Sequence, residues 1–173
     1  NSLKIIQERY PIAGKFTISR GSKTEALVIV CEISHNGKLG RGECVPYARY
    51  GESIESVSEQ TEAVRSAIES GADRLTIQTL MPAGAARNAV DCAFWDLEAK
   101  LSGKRVADTL GTLPHPLETA ITVSLGTPEE MAESTAKVAH YPLIKVKMGG
   151  DNDIERIKAV TNAAPNSRII IDA

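Results

Sequence analysis

Aromatic residues are scarce in this chain: one Trp, two Phe and four Tyr among 173 residues. Positive charge is no more concentrated, with 20 Lys and Arg set against 22 Asp and Glu for a net charge of -2. A nucleic-acid interface needs a basic stripe and, for single strands, stacking rings. Neither is present. No apolar run reaches the roughly 18 residues of a membrane-spanning helix, and the N-terminus lacks the basic-then-apolar order of a secretion signal. The expectation is a cytoplasmic protein with no membrane partner. The three cysteines, Cys31, Cys44 and Cys92, are odd in number and lack metal-type spacing, so they read as small, reduced, buried residues. His35, His115 and His140 lie far apart in turns or at helix ends and define no histidine site.

What is present is the composition of a globular chain, 42% hydrophobic and 24% charged, long enough for one ordinary domain or two small ones. Alternating apolar residues dominate up to about residue 45. Residues 4–10 and 15–19 read as short strands on either side of Pro11, and residues 25–33 as a longer strand rich in β-branched side chains. The Asn36-Gly37 pair marks a hairpin turn of type I′ leading into a partner strand over residues 39–44. An antiparallel sheet of three or four strands follows from these pieces. Two helices come next: one capped by Ser53 and stopped by Gly71, and one beginning at Pro82 with Ala86, Ala89, Val90, Ala93, Phe94 and Leu97 on a single face. Asp91 and Asp96 on the second helix read as solvated charges or partners of a nearby Arg or Lys. The run Leu113-Pro114-His115-Pro116 breaks the pattern and sets a domain boundary, dividing the chain into residues 1–114 and 115–173.

Two loops interrupt the first part. Residues 20–24, Arg-Gly-Ser-Lys-Thr, are polar and read either as a functional loop or as a solvated connector. Residues 46–52 hold Tyr47, Arg49 and Tyr50, suited to a binding surface and equally to packing over the sheet.

The second part alternates strand and helix. Strands are expected over residues 120–125, 143–148 and 168–172, and helices over 127–140 and 152–164. Thr127-Pro128-Glu129-Glu130 is a capping box with Pro at the first helical position, and Asn152 to Glu155 repeats the cap-to-third-residue pattern. A βαβαβ order predicts a parallel sheet. Lys145 and Lys147 then project from one face of the middle strand, roughly 6.6 Å apart along it. The apolar residues flanking them predict a sheet covered on both faces, although an exposed or edge strand would display two lysines equally well. In a covered site, desolvation and mutual repulsion favour the neutral amine, which is a general base. Lys147 and Asp172 fall near the C-terminal ends of neighbouring strands, the end at which α/β barrels gather catalytic residues.

These residues together resemble a known family. Gly40-Arg41-Gly42-Glu43-Cys44-Val45-Pro46, Arg49-Tyr50-Gly51-Glu52-Ser53, the helix containing Asp91-Cys92-Ala93-Phe94-Trp95-Asp96-Leu97, the Lys145-Val146-Lys147 strand and Ile171-Asp172-Ala173 are similar, in order, to the enolase superfamily. The likeness is to its muconate lactonizing enzyme subgroup and, within that, to dipeptide epimerases of the L-Ala-D/L-Glu type. The resemblance implies an α+β capping domain followed by the first β/α units of a TIM-type barrel. It implies that Lys147 removes the proton next to a carboxylate while Lys145 assists, and that Asp172 is the first of three carboxylate ligands for Mg²⁺. Arg20, Tyr50 and Thr122 are the implied substrate-binding residues, and the implied partner is a small molecule, with homo-oligomer formation left open.

The first residue is Asn rather than Met, and the sequence stops one residue past a strand, so a longer parent chain is expected. The other metal ligands and a second acid/base would then lie beyond residue 173, and the 173-residue polypeptide alone is expected to be inactive. Two alternatives stand beside the epimerase: a muconate-type cycloisomerase using the same lysine pair, and a non-catalytic α/β domain whose lysines bind an anion.

Overall fold

The computed structural model describes residues 1–19 and 21–172. The chain folds into two compact units, one comprising Asn1–Tyr10 with Ala26–Pro114, the other Pro11–Glu25 with the chain from His115 onward. The architecture is α+β followed by the first β/α units of a TIM-type barrel.

Strands β1 (Ser2–Ile18), β2 (Gly21–His35) and β3 (Lys38–Cys44) form a three-stranded sheet in the order β1-β2-β3, of which residues 2–10, 26–35 and 38–44 belong to the first unit. β1 is continuous through Pro11 rather than two strands around it, because an edge strand tolerates a residue with no N–H to donate. Residues 21–24, expected as a loop, are part of β2. β2 and β3 pair antiparallel from Ile29↔Cys44 to His35↔Lys38, and Asn36 and Gly37 both take positive φ, the hairpin geometry expected of them.

Helix α1 (Ile54–Glu62) starts at the Ser53 cap, where Ser56 N–H donates to Ser53 Oγ at 3.1 Å and Ser53 N–H donates to Ser56 Oγ at 2.9 Å. The single helix expected from Ser53 to Gly71 is broken after Glu62 and resumes as α2 (Arg65–Glu69). A further helix, α3 (Arg74–Leu80), was not expected. Asp73 caps it by accepting from Thr76 N–H at 2.8 Å, and only Ile77 is buried, so its apolar residues show no helical stripe. Helix α4 (Ala85–Ser102) begins three residues after Pro82 and ends at Gly103 in the left-handed conformation; a short α5 (Val106–Thr109) follows.

The core lies between the sheet and α4. Ile29, Cys31 and Ile33 of β2 join Ala86, Ala89, Val90, Ala93, Phe94 and Leu97 of α4, all buried. Gly40 and Gly42 make this approach possible. A Cβ on Gly42 would lie 2.0 Å from the carbonyl oxygen of Ala89, and one on Gly40 would lie 2.1 Å from that of Ala93. Asp96 is satisfied by Lys100 at 2.7 Å and by the backbone N–H of Arg41 at 2.8 Å. It is therefore a structural acid. Cys31 and Cys44 are buried free thiols, which burial pushes up to about 12 and about 11; Cys92, expected to be buried, is exposed on α4.

In the second unit, β4 (Ile121–Val123), β5 (Leu143–Lys147) and β6 (Arg168–Asp172) form a parallel sheet in that order, with α6 (Pro128–Val138) and α7 (Asp153–Ala163) as the connecting helices. The capping box at α6 forms as expected: Glu130 N–H donates to Thr127 Oγ1 at 3.2 Å, and Thr127 N–H to Glu130 Oε2 at 2.8 Å. The one expected at Asn152 does not form. Asn152 sits in the left-handed region at φ 64° and makes no side-chain cap; the adjacent Asp153 binds the preceding loop instead. Val123, Ile144, Val146 and Met148 pack against Met131 of α6 and Val160 of α7 to form the second core.

Candidate active site

Alternation along β5 puts Ile144 and Val146 into that core and sends Lys145 and Lys147 to the opposite face. Parallel pairing aligns Lys145 with Thr122 on one side and with Ile170 on the other, and aligns Lys147 with Asp172. Thr122, Lys145, Lys147 and Asp172 therefore share one face, toward the C-terminal ends of their strands. The Asp172 Oδ2 atom lies 2.7 Å from Lys147 Nζ and 3.4 Å from Lys145 Nζ. The hydrogen bond from Lys147, then that from Lys145, holds the Asp172 carboxyl below its ordinary range. A carboxylate thus stands between two ammonium groups, a feature the spacing of the lysines alone could not reveal.

The expectation of a sheet covered on both faces is not met among the described residues. Lys147 is the more enclosed of the pair, its side chain 18% exposed against 37% for Lys145, while Ile170 and Ile171 on the edge strand β6 are exposed. Helices α6 and α7 pack against the Ile144/Val146 face, and the lysine face carries the charged cluster.

Sequence reasoning missed a neighbour of this cluster, Phe16, whose ring centroid is 6.0 Å from Lys147 Nζ. At that distance the ring quadrupole still attracts a cation weakly. The segment carrying Phe16 is tied to the β4–α6 loop by a hydrogen bond from Leu125 N–H to the carbonyl of Thr17 at 3.1 Å. The signal available was modest: Phe16 is one of two phenylalanines in the chain and lies four residues before Arg20.

Arg20 lies outside the described residues. Tyr50 belongs to the first unit, on a single 3-10 turn at Ala48–Tyr50, and is largely exposed, its ring 5.7 Å from that of Tyr47. Glu52 braces this segment, accepting from Tyr47 N–H at 3.0 Å and from Ala85 N–H at the start of α4 at 2.7 Å. No group of three or more His, Cys, Asp or Glu side chains suited to a metal ion occurs among the described residues. No helix among them is long and apolar enough to cross a membrane.

Comparison with known proteins bears directly on this arrangement. Residues 1–111 match the mandelate racemase / muconate lactonizing enzyme N-terminal domain. The chain is 44% identical over 175 aligned residues to the L-Ala-D/L-Glu epimerase of Escherichia coli K12, covering 99% of this chain and 54% of that protein. It is 43% identical to an N-acetyl-D-glutamate racemase of a Pseudoalteromonas species, covering 84% and 47% respectively. Among solved structures, it superposes with a TM-score of 0.94 and 53% identity on an enolase family member from Agrobacterium tumefaciens with homology to dipeptide epimerases, which holds sodium and L-Ala-L-Glu; 99% of this chain and 53% of that one are covered. A dipeptide epimerase from Enterococcus faecalis, complexed with Mg and L-Leu-L-Tyr, superposes with a TM-score of 0.90 at 25% identity, covering 100% and 53%. The chain thus spans about half the length of these relatives. With residues 1–111 matched to that family's N-terminal domain and 99% of the chain covered by a relative at 44% identity, this chain belongs to the mandelate racemase / muconate lactonizing enzyme family of the enolase superfamily.

Proposed function

We propose that this chain is the capping domain (residues 1–114) and the first barrel strands (residues 115–173) of an epimerase that inverts the α-carbon of an acylated glutamate, with L-Ala-D/L-Glu as the leading substrate. The observation that carries the reading is the cluster of Lys145, Lys147 and Asp172 on one face at the C-terminal strand ends, with contacts of 2.7 and 3.4 Å. The relatives support it by what they act on or hold: L-Ala-D/L-Glu, N-acetyl-D-glutamate and L-Ala-L-Glu. All three ligands share an α-carboxylate, an acylated α-nitrogen and a side-chain carboxylate.

A proton α to a carboxylate is a very weak acid, because its removal places a second negative charge on the same group. Lys147, the more enclosed lysine, is the base in this reading, and Lys145 donates to the substrate carboxylate as charge develops there. Asp172, held ionised by its two lysine partners, offers a hard oxygen donor of the kind Mg²⁺ takes. It is one carboxylate of a site that needs about six oxygens, so the remaining ligands are assigned to the part of the parent protein outside this chain. Bound there, Mg²⁺ would stabilise the dianion that follows proton loss. Thr122 flanks Lys145 on the same face, and Arg20 and Tyr50 are assigned to reading the acidic side chain, which a guanidinium can hold with two hydrogen bonds.

N-acetylglutamate is the second reading, favoured by the 43% identity to a racemase acting on that compound. The test is proton NMR of the full-length protein in D₂O with Mg²⁺, offered L-Ala-L-Glu, N-acetyl-D-glutamate and L-Ala-L-Ala separately. Loss of the glutamate α-proton signal from L-Ala-L-Glu in preference to the other two is expected. Preference for N-acetyl-D-glutamate would select the second reading. Exchange with none of them would overturn both.

A further inference from the structure

We infer that Asp153 and Arg156 are positioning residues that lock together the two loops flanking the lysine strand, and that this lock sets the position of the Lys147 amine for proton transfer. The inference rests on the proposed function for its catalytic part and on hydrogen bonds within the second unit for the rest. The loop after β5 begins one residue beyond Lys147 and contains two consecutive glycines, Gly149 and Gly150, the latter at φ 102°. Such a loop has little intrinsic stiffness. The Asp153 carboxylate supplies it, accepting from Gly149 N–H at 3.1 Å through Oδ1 and from Gly150 N–H at 2.8 Å through Oδ2. Those two amides are among the causes that hold the Asp153 carboxyl below its ordinary range, Gly149 first.

Arg156, one turn further along α7, joins this loop to the preceding one. Its Nε donates to the carbonyl of Gly126 at 2.8 Å, in the loop after β4, while its terminal nitrogen donates to Asp153 Oδ1 at 2.9 Å and to the carbonyl of Asp151. The Arg156 side chain is 17% exposed, and the planar fork of its guanidinium fixes all three directions at once. The loops also touch directly. A Cβ on Gly149 would lie 2.5 Å from Leu125 Cδ2, so a larger residue there would push the Leu125 side chain aside. Leu125 is the residue whose N–H holds Thr17, next to Phe16. One network therefore runs from the Phe16 segment through Leu125 and Gly126 to Arg156, Asp153 and the residues following Lys147. A base displaced by about 1 Å loses up to about 100-fold in rate, so a network of this kind acts on the chemical step.

Arg156→Lys keeps the charge and removes the fork. In the full-length protein it is expected to lower kcat for α-proton exchange by about 10- to 100-fold while KM stays within about twofold and the melting temperature stays high enough for assay at 25 °C. Asp153→Asn, nearly isosteric, should give a similar loss, and the double variant should lose little more than either single one, since both act through one network. Lys158→Ala, which removes an exposed pair with Glu155 on the same helix, should leave kcat and KM unchanged. Amide exchange provides an arm independent of turnover: Gly149 and Gly150 should exchange faster in Arg156→Lys and Asp153→Asn than in wild type, with β6 unaffected. Wild-type kcat in Arg156→Lys, or unaltered protection of the two glycine amides, would overturn the inference. Absence of α-proton exchange in the wild-type protein would instead defeat the functional reading, leaving amide exchange to judge the lock.

Discussion

The two units use their sheets differently. In the α+β unit, α4 lies so close over β3 that Gly40 and Gly42 leave no room for a Cβ, and Ile29, Cys31 and Ile33 beneath are buried with the helix face. In the β/α unit, helices α6 and α7 pack against the Ile144/Val146 face, while the other face carries Thr122, Lys145, Lys147 and Asp172. A face closed by apolar packing fixes shape and tolerates no added atom; a face lined by charged side chains can receive a ligand. The difference says where substitutions should change stability and where they should change chemistry.

The largest expected effect tests the closed face. Gly42→Val places its Cβ against backbone atoms of Ala89 and Ala93, which cannot swing away, so a loss above about 4 kcal/mol is expected. The fluorescence of Trp95, the single tryptophan and a residue of α4, followed through a denaturant titration reports it. Protection of β5 amides should be unaltered; coupled loss in both units would break the comparison.

A smaller effect is expected from Met131→Ala beneath the lysine-bearing sheet. Met131 is 1% exposed and packs in the second core, so about 3 kcal/mol should be lost, read as faster amide exchange in β4 and β5 with the Trp95 transition unmoved. Thr127→Ala removes the cap of α6 and should cost about 1 kcal/mol, measurable by the same exchange in the first turn of that helix. A cost near zero would mean that the Glu130 half of the capping box suffices.

The smallest effect concerns pH. The folded-state pKa of Asp172 is lowered, first by Lys147 and then by Lys145, from an ordinary value of 3.8. Its contribution to stability is therefore complete above the ordinary value and is lost as pH falls through the lower folded one. Asp172→Asn should flatten the acid limb of the melting curve of the β/α unit below about pH 4, without altering it near neutrality through this linkage. An acid limb identical to wild type would show that the carboxylate is not ionically held.

Much of this was legible in the sequence because the signals were local. The Asn36-Gly37 turn, the Thr127 capping box and the alternation of Lys145 and Lys147 with Ile144 and Val146 each act over a few residues, and all three appear in the fold. What failed depended on neighbours distant in the chain. Pro11 does not end a strand, because it lies on an edge strand; residues 21–24 are drawn into β2 despite their loop-like composition. Asn152 loses its capping role because its neighbour Asp153 finds two glycine amides. At the site, strand order aligned Lys147 with Asp172, but the carboxylate's position between both lysines and the approach of Phe16 are matters of side-chain geometry that spacing does not encode. Arg20, chosen for its loop and its charge, lies outside the described residues.

The central claim is that the lysine face is where a proton is moved, with Lys147 as the base. It is tested most directly by solvent deuterium incorporation into L-Ala-L-Glu, catalysed by the full-length protein with Lys147→Ala beside wild type and Thr127→Ala. A loss of about 10²- to 10⁴-fold in α-proton exchange is expected for Lys147→Ala, with a melting temperature close to wild type and no comparable loss in Thr127→Ala. Wild-type exchange in Lys147→Ala would contradict the account, because the lysine face would then have no part in removing the proton.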